Sequence, residues 1–278
     1  MSVAARVLGF SRQAFYKWLA QPLSRREREE AEMLELIRLI HDDDPEFGYR
    51  FISDELHAQG VDVSEKRVWR ICNKYGVFSA TCKKKGGKKK GKPGPAVADD
   101  LIQRHFHAQA INKVWLVDIT EHPTGEGKLY LCAFKDVCSR KIVGWAVGAR
   151  MDSFLALRAL HDAMRRRGRP KGVIIHSDRG SQFRSRSFQR ALKSYGAKQS
   201  MGRVASAGDN AAMESFFSLL QKNVLNRRKW ETRAELSTAI TYWIERTYHR
   251  KRRQRALGKL TPNEFEAIHT TPAALKAA

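Results

Sequence analysis

Three carboxylates stand where an acid needs a reason. Asp118 interrupts the run 114–120 (VWLVDIT), whose β-branched and aromatic content predicts a strand. Asp is depleted from strands, and Trp115, Val117 and Ile119 point to the face opposite it. Asp178 follows the apolar segment 172–176 (GVIIH) in HSDRG, just past the C-terminal end of a strand, where open α/β sheets place their ligands. Glu214 lies in DNAAMESFF; Met213, Phe216, Phe217, Leu220 and Val224 recur there at helical spacing and leave Glu214, Ser218 and Gln221 on the margin of the packed stripe. With no Ser/His/Asp or Cys/His set beside them, three such acids suit a hard, oxygen-seeking cation, Mg²⁺ with Mn²⁺ as a substitute. Two such ions about 4 Å apart activate an attacking oxygen and stabilise a leaving one in phosphoryl transfer, with no protein nucleophile. Taken singly, Asp118 also reads as an edge-strand residue and Asp178 as a loop cap. Asp209 rivals Glu214 by proximity, although it stands where a helix N-cap belongs.

Bringing these acids together requires a sheet with helices on its faces. Segments 114–120, 129–136 (LYLCAFKD) and 141–147 read as strands, followed by a helix from the N-cap Asp152 to the C′ residue Gly168. The strand 172–176, a helix over 185–193, a short strand over 197–201 and helices over 209–225 and 231–249 complete an α/β mixed sheet. His176 beside Asp178 reads as a structural histidine more readily than as a ligand orienter, and Gly180 as a backbone position needing φ > 0.

Upstream the pattern is helical. Met33, Leu36, Ile37 and Ile40 form one stripe on a helix starting near Arg25. Two flanking segments read as helix-turn-helix units. In 4–19, Gly9 permits the turn and Ser11 caps a helix presenting Arg12 and Lys17; in 49–76, a helix stops at Gly60 and Ser64 caps a second one bearing Lys66, Arg67 and Arg70. A cationic helix behind a short turn can enter a major groove. Between these regions, 83–95 (KKKGGKKKGKPGP) holds seven lysines and no acid, a linker that either spaces the domains or lies along phosphates. The expected division is a helical region 1–80, a linker 81–104 and a catalytic domain 105–278.

The 278 residues carry a net charge of +23, and +16 remains when the seven linker lysines are set aside, so the partner is a polyanion, double-stranded DNA above all. No apolar run approaches the roughly 20 residues of a membrane span, and no signal pattern opens the chain. Cys72, Cys82, Cys132 and Cys138 show no ligand spacing, which fits a reducing compartment such as the bacterial cytoplasm. The run 250–255 (RKRRQR) after a packed helix reads as a phosphate track.

WLVDIT, HSDRGSQF and DNAAMESFF, with 35 residues between Asp178 and Glu214, resemble the Asp-Asp-Glu signature of retroviral-integrase-like transposases. More narrowly, LGFSRQAFYKWL, FGYRFISDELHAQGVDVSEKRVWRI, SRKIVGWAV and RALGKLTPNEFEA resemble the second-reading-frame protein of bacterial insertion sequences of the insertion-sequence-3 type. The resemblance implies a ribonuclease-H-like core, Asp118, Asp178 and Glu214 as metal ligands, and cleavage and joining of DNA at element ends. Water would be the first nucleophile and a DNA 3′-hydroxyl the second. It implies nucleoid association and a homo-oligomer on DNA, and allows fusion by frameshift to an upstream DNA-binding protein. A nuclease of the same fold that cuts without joining and a non-catalytic DNA-binding repressor are the rival readings.

The chain departs from that family in two places. The Lys or Arg expected seven residues after the glutamate is Gln221, with Lys222 one step on; on a continuous α-helix these lie about −20° and +80° from Glu214. Near the tail, the usual Tyr-Asn and His-Ser pairs appear as Tyr248-His249 and Gln254-Arg255.

Overall fold

A computed structural model describes residues 11–20, 24–80, 95, 97–103, 106–202 and 211–270. The chain divides after Ala80 into two compact units. No helix among the described residues is long and apolar enough to cross a membrane.

The first unit is helical. After α1 (Arg12–Ala20), Ser24 and Glu27 form a capping box that starts α2 (Arg25–Asp43). The turn expected at Gly9 lies outside the described residues, but Ser11 does accept the Ala14 amide at 3.1 Å. Helix α3 (Tyr49–Ala58) ends before Gly60, whose φ of +82° only glycine adopts freely. Ser64 then accepts the Arg67 amide and opens α4 (Glu65–Tyr75), which stops at Gly76 in the left-handed region. Leu34, Ile37, Ile52, Leu56, Val68 and Ile71 form one buried cluster, so α2, α3 and α4 share a core and α3–turn–α4 is a helix-turn-helix.

The second unit is built on a five-stranded sheet of order β3-β2-β1-β4-β5. Strands β1 (Val114–Thr124), β2 (Gly127–Asp136) and β3 (Ile142–Gly148) form an antiparallel meander; β4 (Ile174–Ser177) and β5 (Lys198–Met201) add to β1 in parallel. Parallel neighbours need crossovers, which supply the helices: α5 (Ser153–Arg166) before β4, α6 (Ser181–Arg184) and α7 (Arg186–Ser194) before β5. The chain continues as α8 (Ala211–Leu220), a π-helical turn (Gln221–Leu225), α9 (Arg233–Tyr242), a second π turn (Trp243–Tyr248) and α10 (Pro262–Thr270).

Each face of the sheet has its own core. Leu116, Leu131 and Ala133 pack beneath Met213, Phe216 and Leu220 of α8 and Leu236 and Ile240 of α9. On the other face Trp115, Val117, Phe134 and Ile175 meet Leu155, Ala159 and Leu160 of α5 and Phe188 and Leu192 of α7. Gly144 lets α5 press onto β3: a Cβ there would run into the Ala163 backbone. A buried ionic cluster ties down α10, with Arg167 gripping Glu266 through two hydrogen bonds of 2.8 and 2.9 Å and Lys141 reaching the same carboxylate at 3.2 Å.

Three expectations change. The end of the expected linker is part of this unit: Ile102 is buried in the core, Leu101 donates to Ser200 Oγ and Met201 donates to the Asp99 carbonyl. The helix expected over 209–225 is described from Ala211 and widens to π at Gln221. Strand β1 runs on to Thr124, past Pro123, because it pairs with β2 as far as Gly127.

Candidate active site

The sheet register sets two of the acids side by side. Leu116 on β1 pairs with His176 on β4, so two residues on, Asp118 stands opposite Asp178, on neighbouring parallel strands about 4.8 Å apart. Leu116 packs under α8, and alternation points Asp118 toward the same helix. Asp118 is only 7% exposed, and its Oδ1 accepts the Ile119 amide at 2.7 Å. Asp178 is exposed just beyond β4; its Oδ1 accepts the Gly180 amide at 3.0 Å, while Ser177 Oγ donates to its carbonyl. Both carboxylates are therefore oriented by backbone donors that favour the ionised, acceptor-only form.

Glu214 lies on the exposed margin of α8, with Met213 and Phe216 buried beside it. The helix thus carries the third acid over the face from which Asp118 projects, but the three are not closed into a cage. Among the described residues no three His, Cys, Asp or Glu side chains are placed to hold a metal ion together. The rival ligand Asp209 lies outside the described residues.

The neighbours of the acids have structural jobs. His176 is buried, its Nδ1 2.9 Å from Ser200 Oγ and its ring edge-on to Phe106, so it locks β4 to β5. Gly180 has φ −59°, not the positive value expected; glycine is required there because a Cβ would strike the Gln182 side chain. Gln221 donates from Nε2 to Asn226 Oδ1 at 2.7 Å across the π turn, and Lys222 is half-buried. A π turn rotates less per residue than an α turn, so Lys222 falls nearer the meridian of Glu214 than a continuous α-helix would place it.

Sequence reasoning missed Lys135. It is 4% exposed on β2, and its ammonium donates to the Ala212 carbonyl at the start of α8, 6.0 Å from the Tyr248 ring centre. The signal was present: a lysine on the inward phase of an apolar strand, two residues after Ala133.

The tail departures are structural. Tyr248 is buried and its hydroxyl donates to the Arg140 carbonyl. His249 accepts the Ile142 amide on Nε2 at 3.1 Å, so Nδ1 carries the proton and donates to Glu245. Burial holds this imidazole below its usual pKa, and hydrogen bonding from His249, with help from Arg166, brings Glu245 down to about 2. In the run 250–255, Arg253 is tied to Glu264, whereas Arg250 and Arg255 are exposed. A cleft of about 720 Å³ lies away from the acids, between the β1–β2 hairpin tip and the 225–231 turn, lined by residues such as His122, Asn226, Lys229 and Trp230.

In the helical unit, Lys66 and Arg70 are exposed on α4 and Lys17 on α1. Arg67 is half-buried, 3.9 Å from Glu29. Arg12 opens α1, with its side chain outside the described set.

Comparison with known proteins agrees with this division. Residues 108–207 and 195–262 match two models of an integrase core domain, and 27–86 match an HTH-like domain. The chain is 36% identical to the transposase for insertion sequence element IS904 of Lactococcus lactis, over 84% of this chain and 92% of the relative. It is 32% identical to the transposase InsF for insertion sequence IS3A of Escherichia coli, over 94% and 92%. The chain belongs to the IS3 family of insertion-sequence transposases. Among solved structures, the HTLV-2 integrase catalytic core in complex with magnesium is similar to 56% of this chain and 97% of its own, with a TM-score of 0.46 and 20% identity. Membership accounts for both units: an HTH-like domain ahead of a ribonuclease-H-like core, in an enzyme of the polynucleotidyl transferase type that acts in DNA transposition. The two integrase matches contain all three acids, Asp118 and Asp178 in the first and Glu214 in the second.

Proposed function

We propose that this transposase cuts and joins DNA at insertion-sequence ends, with Asp118, Asp178 and Glu214 holding Mg²⁺, or Mn²⁺ in its place. The observation that carries the reading is the register: Asp118 and Asp178 stand opposite one another at the C-terminal side of adjacent parallel strands, on the face that α8 covers. The donor set is all carboxylate oxygen, which suits a hard divalent cation. A bound ion of this kind supplies Lewis acidity at the phosphoryl group and lowers the pKa of an attacking hydroxyl.

The chain's own residues do the rest. The Ile119 and Gly180 amides fix the two aspartates, so the anionic donors need little reorganisation. Lys135 holds the start of α8 and with it the approach of Glu214. Lys222 and Gln221 lie along the same helix toward DNA; Lys66, Arg67 and Arg70 on α4, with Arg12 and Lys17 on α1, contact double-stranded DNA from the helical unit. The enzyme acts as a homo-oligomer on the nucleoid, alone or fused by frameshift to an upstream DNA-binding protein.

The test uses a labelled element-end duplex. Wild-type protein should nick it only with Mg²⁺ or Mn²⁺, and a pre-cleaved end with a free 3′-hydroxyl should be joined to a second duplex. Asp118→Asn and Asp178→Asn should each abolish both steps while leaving metal-free DNA binding intact. Hydrolysis without joining would replace the transposase reading with a nuclease of the same fold.

A further inference from the structure

The charge of the catalytic unit is not spread evenly. The thirty residues between Asp178 and Asp209 contain no Asp or Glu and seven Lys or Arg. This stretch contains α6, α7 and β5. On α7, Phe188 and Leu192 are buried against the sheet, while Arg186, Arg190 and Lys193 are exposed at spacings of four and three residues, which align them along one side of the helix. Among the described residues, none of the three has a carboxylate within ion-pair distance.

The arginines of α5, on the same layer, behave differently. Arg165 and Arg166 are paired with Asp162, and Arg166 also with Glu245; just past the helix, Arg167 is held by Glu266. Local acids neutralise those cations, whereas α7 faces solvent with its charge uncompensated. Aligned like charges repel one another, by a few tenths of a kcal/mol per exposed pair, so the stripe contributes nothing to the helix that carries it. What it suits is a polyanion. From Arg186 to Lys193 the helix advances about 10 Å, a length over which duplex DNA presents about six phosphate charges.

The position of the stripe decides which DNA. Helix α7 packs on the Trp115–Ile175 face of the sheet, and α8 with Glu214 on the Leu116–Ala133 face. A duplex lying along α8 and one lying along α7 are therefore on opposite layers, and the Asp178 loop leads directly into α6 and α7. We propose that the exposed face of α7, through Arg186, Arg190 and Lys193, holds the phosphate backbone of a second duplex, the DNA into which the element end is joined. The inference rests on the strand-transfer reading above. Phosphate contacts carry no base information, so the second duplex can have any sequence.

The full-length protein with Arg186→Gln, Arg190→Gln and Lys193→Gln, and the same protein with all three changed to Glu, separate the two duplexes. Two reactions are read: nicking of a labelled element end, and joining of a pre-cleaved end into a random-sequence plasmid. The ratio of joining to nicking should fall about tenfold in the Gln variant and further in the Glu variant, with unchanged thermal midpoints. For binding of a random duplex without metal, the slope of log affinity against log salt should flatten by about 2.7, at roughly 0.9 per lost contact. Nicking and joining falling in parallel, or neither changing with the salt slope intact, would overturn the assignment of α7. A wild-type protein that nicks but never joins would overturn the strand-transfer reading instead, and the metal-free salt slope would still decide whether α7 holds DNA.

Discussion

The ammonium of Lys135 on β2 donates to the Ala212 carbonyl on α8 at 2.9 Å, so the helix that carries Glu214 is pinned at its start to the sheet that carries Asp118. A buried lysine is costly to keep, and replacing one by an apolar side chain of similar volume is often neutral for stability. Lys135→Met should therefore leave the thermal midpoint within a few degrees while lowering end cleavage about tenfold, because Glu214 loses its fixed approach. Unchanged cleavage in Lys135→Met would mean that α8 is positioned by its apolar stripe alone.

Glu214 and Asp209 compete for the third ligand position. Glu214→Gln keeps size and removes the anionic donor, so metal-dependent cleavage should fall about 100-fold or more and the Mn²⁺ concentration for half-maximal activity should rise. Asp209→Asn should retain activity within a fewfold, as Asn caps helices as well as Asp does. The opposite pattern in a metal titration would transfer the role to Asp209.

His249 makes stability depend on pH in a defined direction. Its folded pKa is depressed, because burial and the Ile142 amide on Nε2 both favour the neutral ring. The folded state therefore takes up a proton less readily than the unfolded one. Stability is fully present above the unfolded pKa near 6.5 and is lost as pH falls below it, by at most about 1.4 kcal/mol per pH unit. The Glu245 carboxyl, held at about 2, adds an acid-side loss only below its unfolded value near 4.5. His249→Asn can accept from Ile142 and donate to Glu245 without titrating, so it should flatten the denaturation profile between pH 7 and 5. An unaltered slope would assign the acid sensitivity elsewhere.

The Arg167–Glu266 pair is nearly buried, with side chains 12% and 9% exposed. Removing one partner strands the other charge, so Glu266→Ala should cost about 3–5 kcal/mol in urea unfolding. Glu266→Gln, which can still accept from the guanidinium, should cost less. Equal and small losses for both would show that α10 is held by other contacts.

On α4, Lys66 and Arg70 are exposed and free to reach a groove, whereas Arg67 sits 3.9 Å from Glu29. Arg70→Ala should narrow the difference in affinity between element-end and random DNA by about 1–3 kcal/mol if it reads a base. Lys66→Ala and Arg67→Ala should weaken binding less selectively. Competition binding at fixed salt distinguishes these outcomes, and equal loss on both DNAs would make Arg70 a phosphate anchor.

Much of this organisation could be read from residue order. The capping serines Ser24 and Ser64 and the N-cap Asp152 mark helix starts because their side chains satisfy amides that no helix can satisfy itself. Asp118 and Asp178 stood out because acids are unexpected inside one strand and informative at the end of another. What was not legible depended on contacts distant in sequence. The packing of 97–103 runs through Ser200, Asp99 and a single buried isoleucine, with no periodicity to announce it. The geometry of Gly180 is set by the room that Gln182 occupies, where turn propensity alone pointed to a left-handed backbone. Lys135 was hidden by its charge, since a lysine in a strand is ordinarily taken for a solvent-facing one.

The π turn at Gln221–Leu225 is a place where the helix holds one residue more than its pitch accommodates. Removing a single residue there would let the helix close into regular α-geometry without breaking the apolar stripe before it, while swinging everything after Leu225 by about 100°. Length variation in this segment is thus a hinge between two kinds of change. The chemistry upstream, at Glu214, would be spared, and the turn carrying Asn226 and Trp230 would be re-aimed as a body. A library of one-residue deletions across 221–225 would reveal how far the carboxylates tolerate a relocated tail.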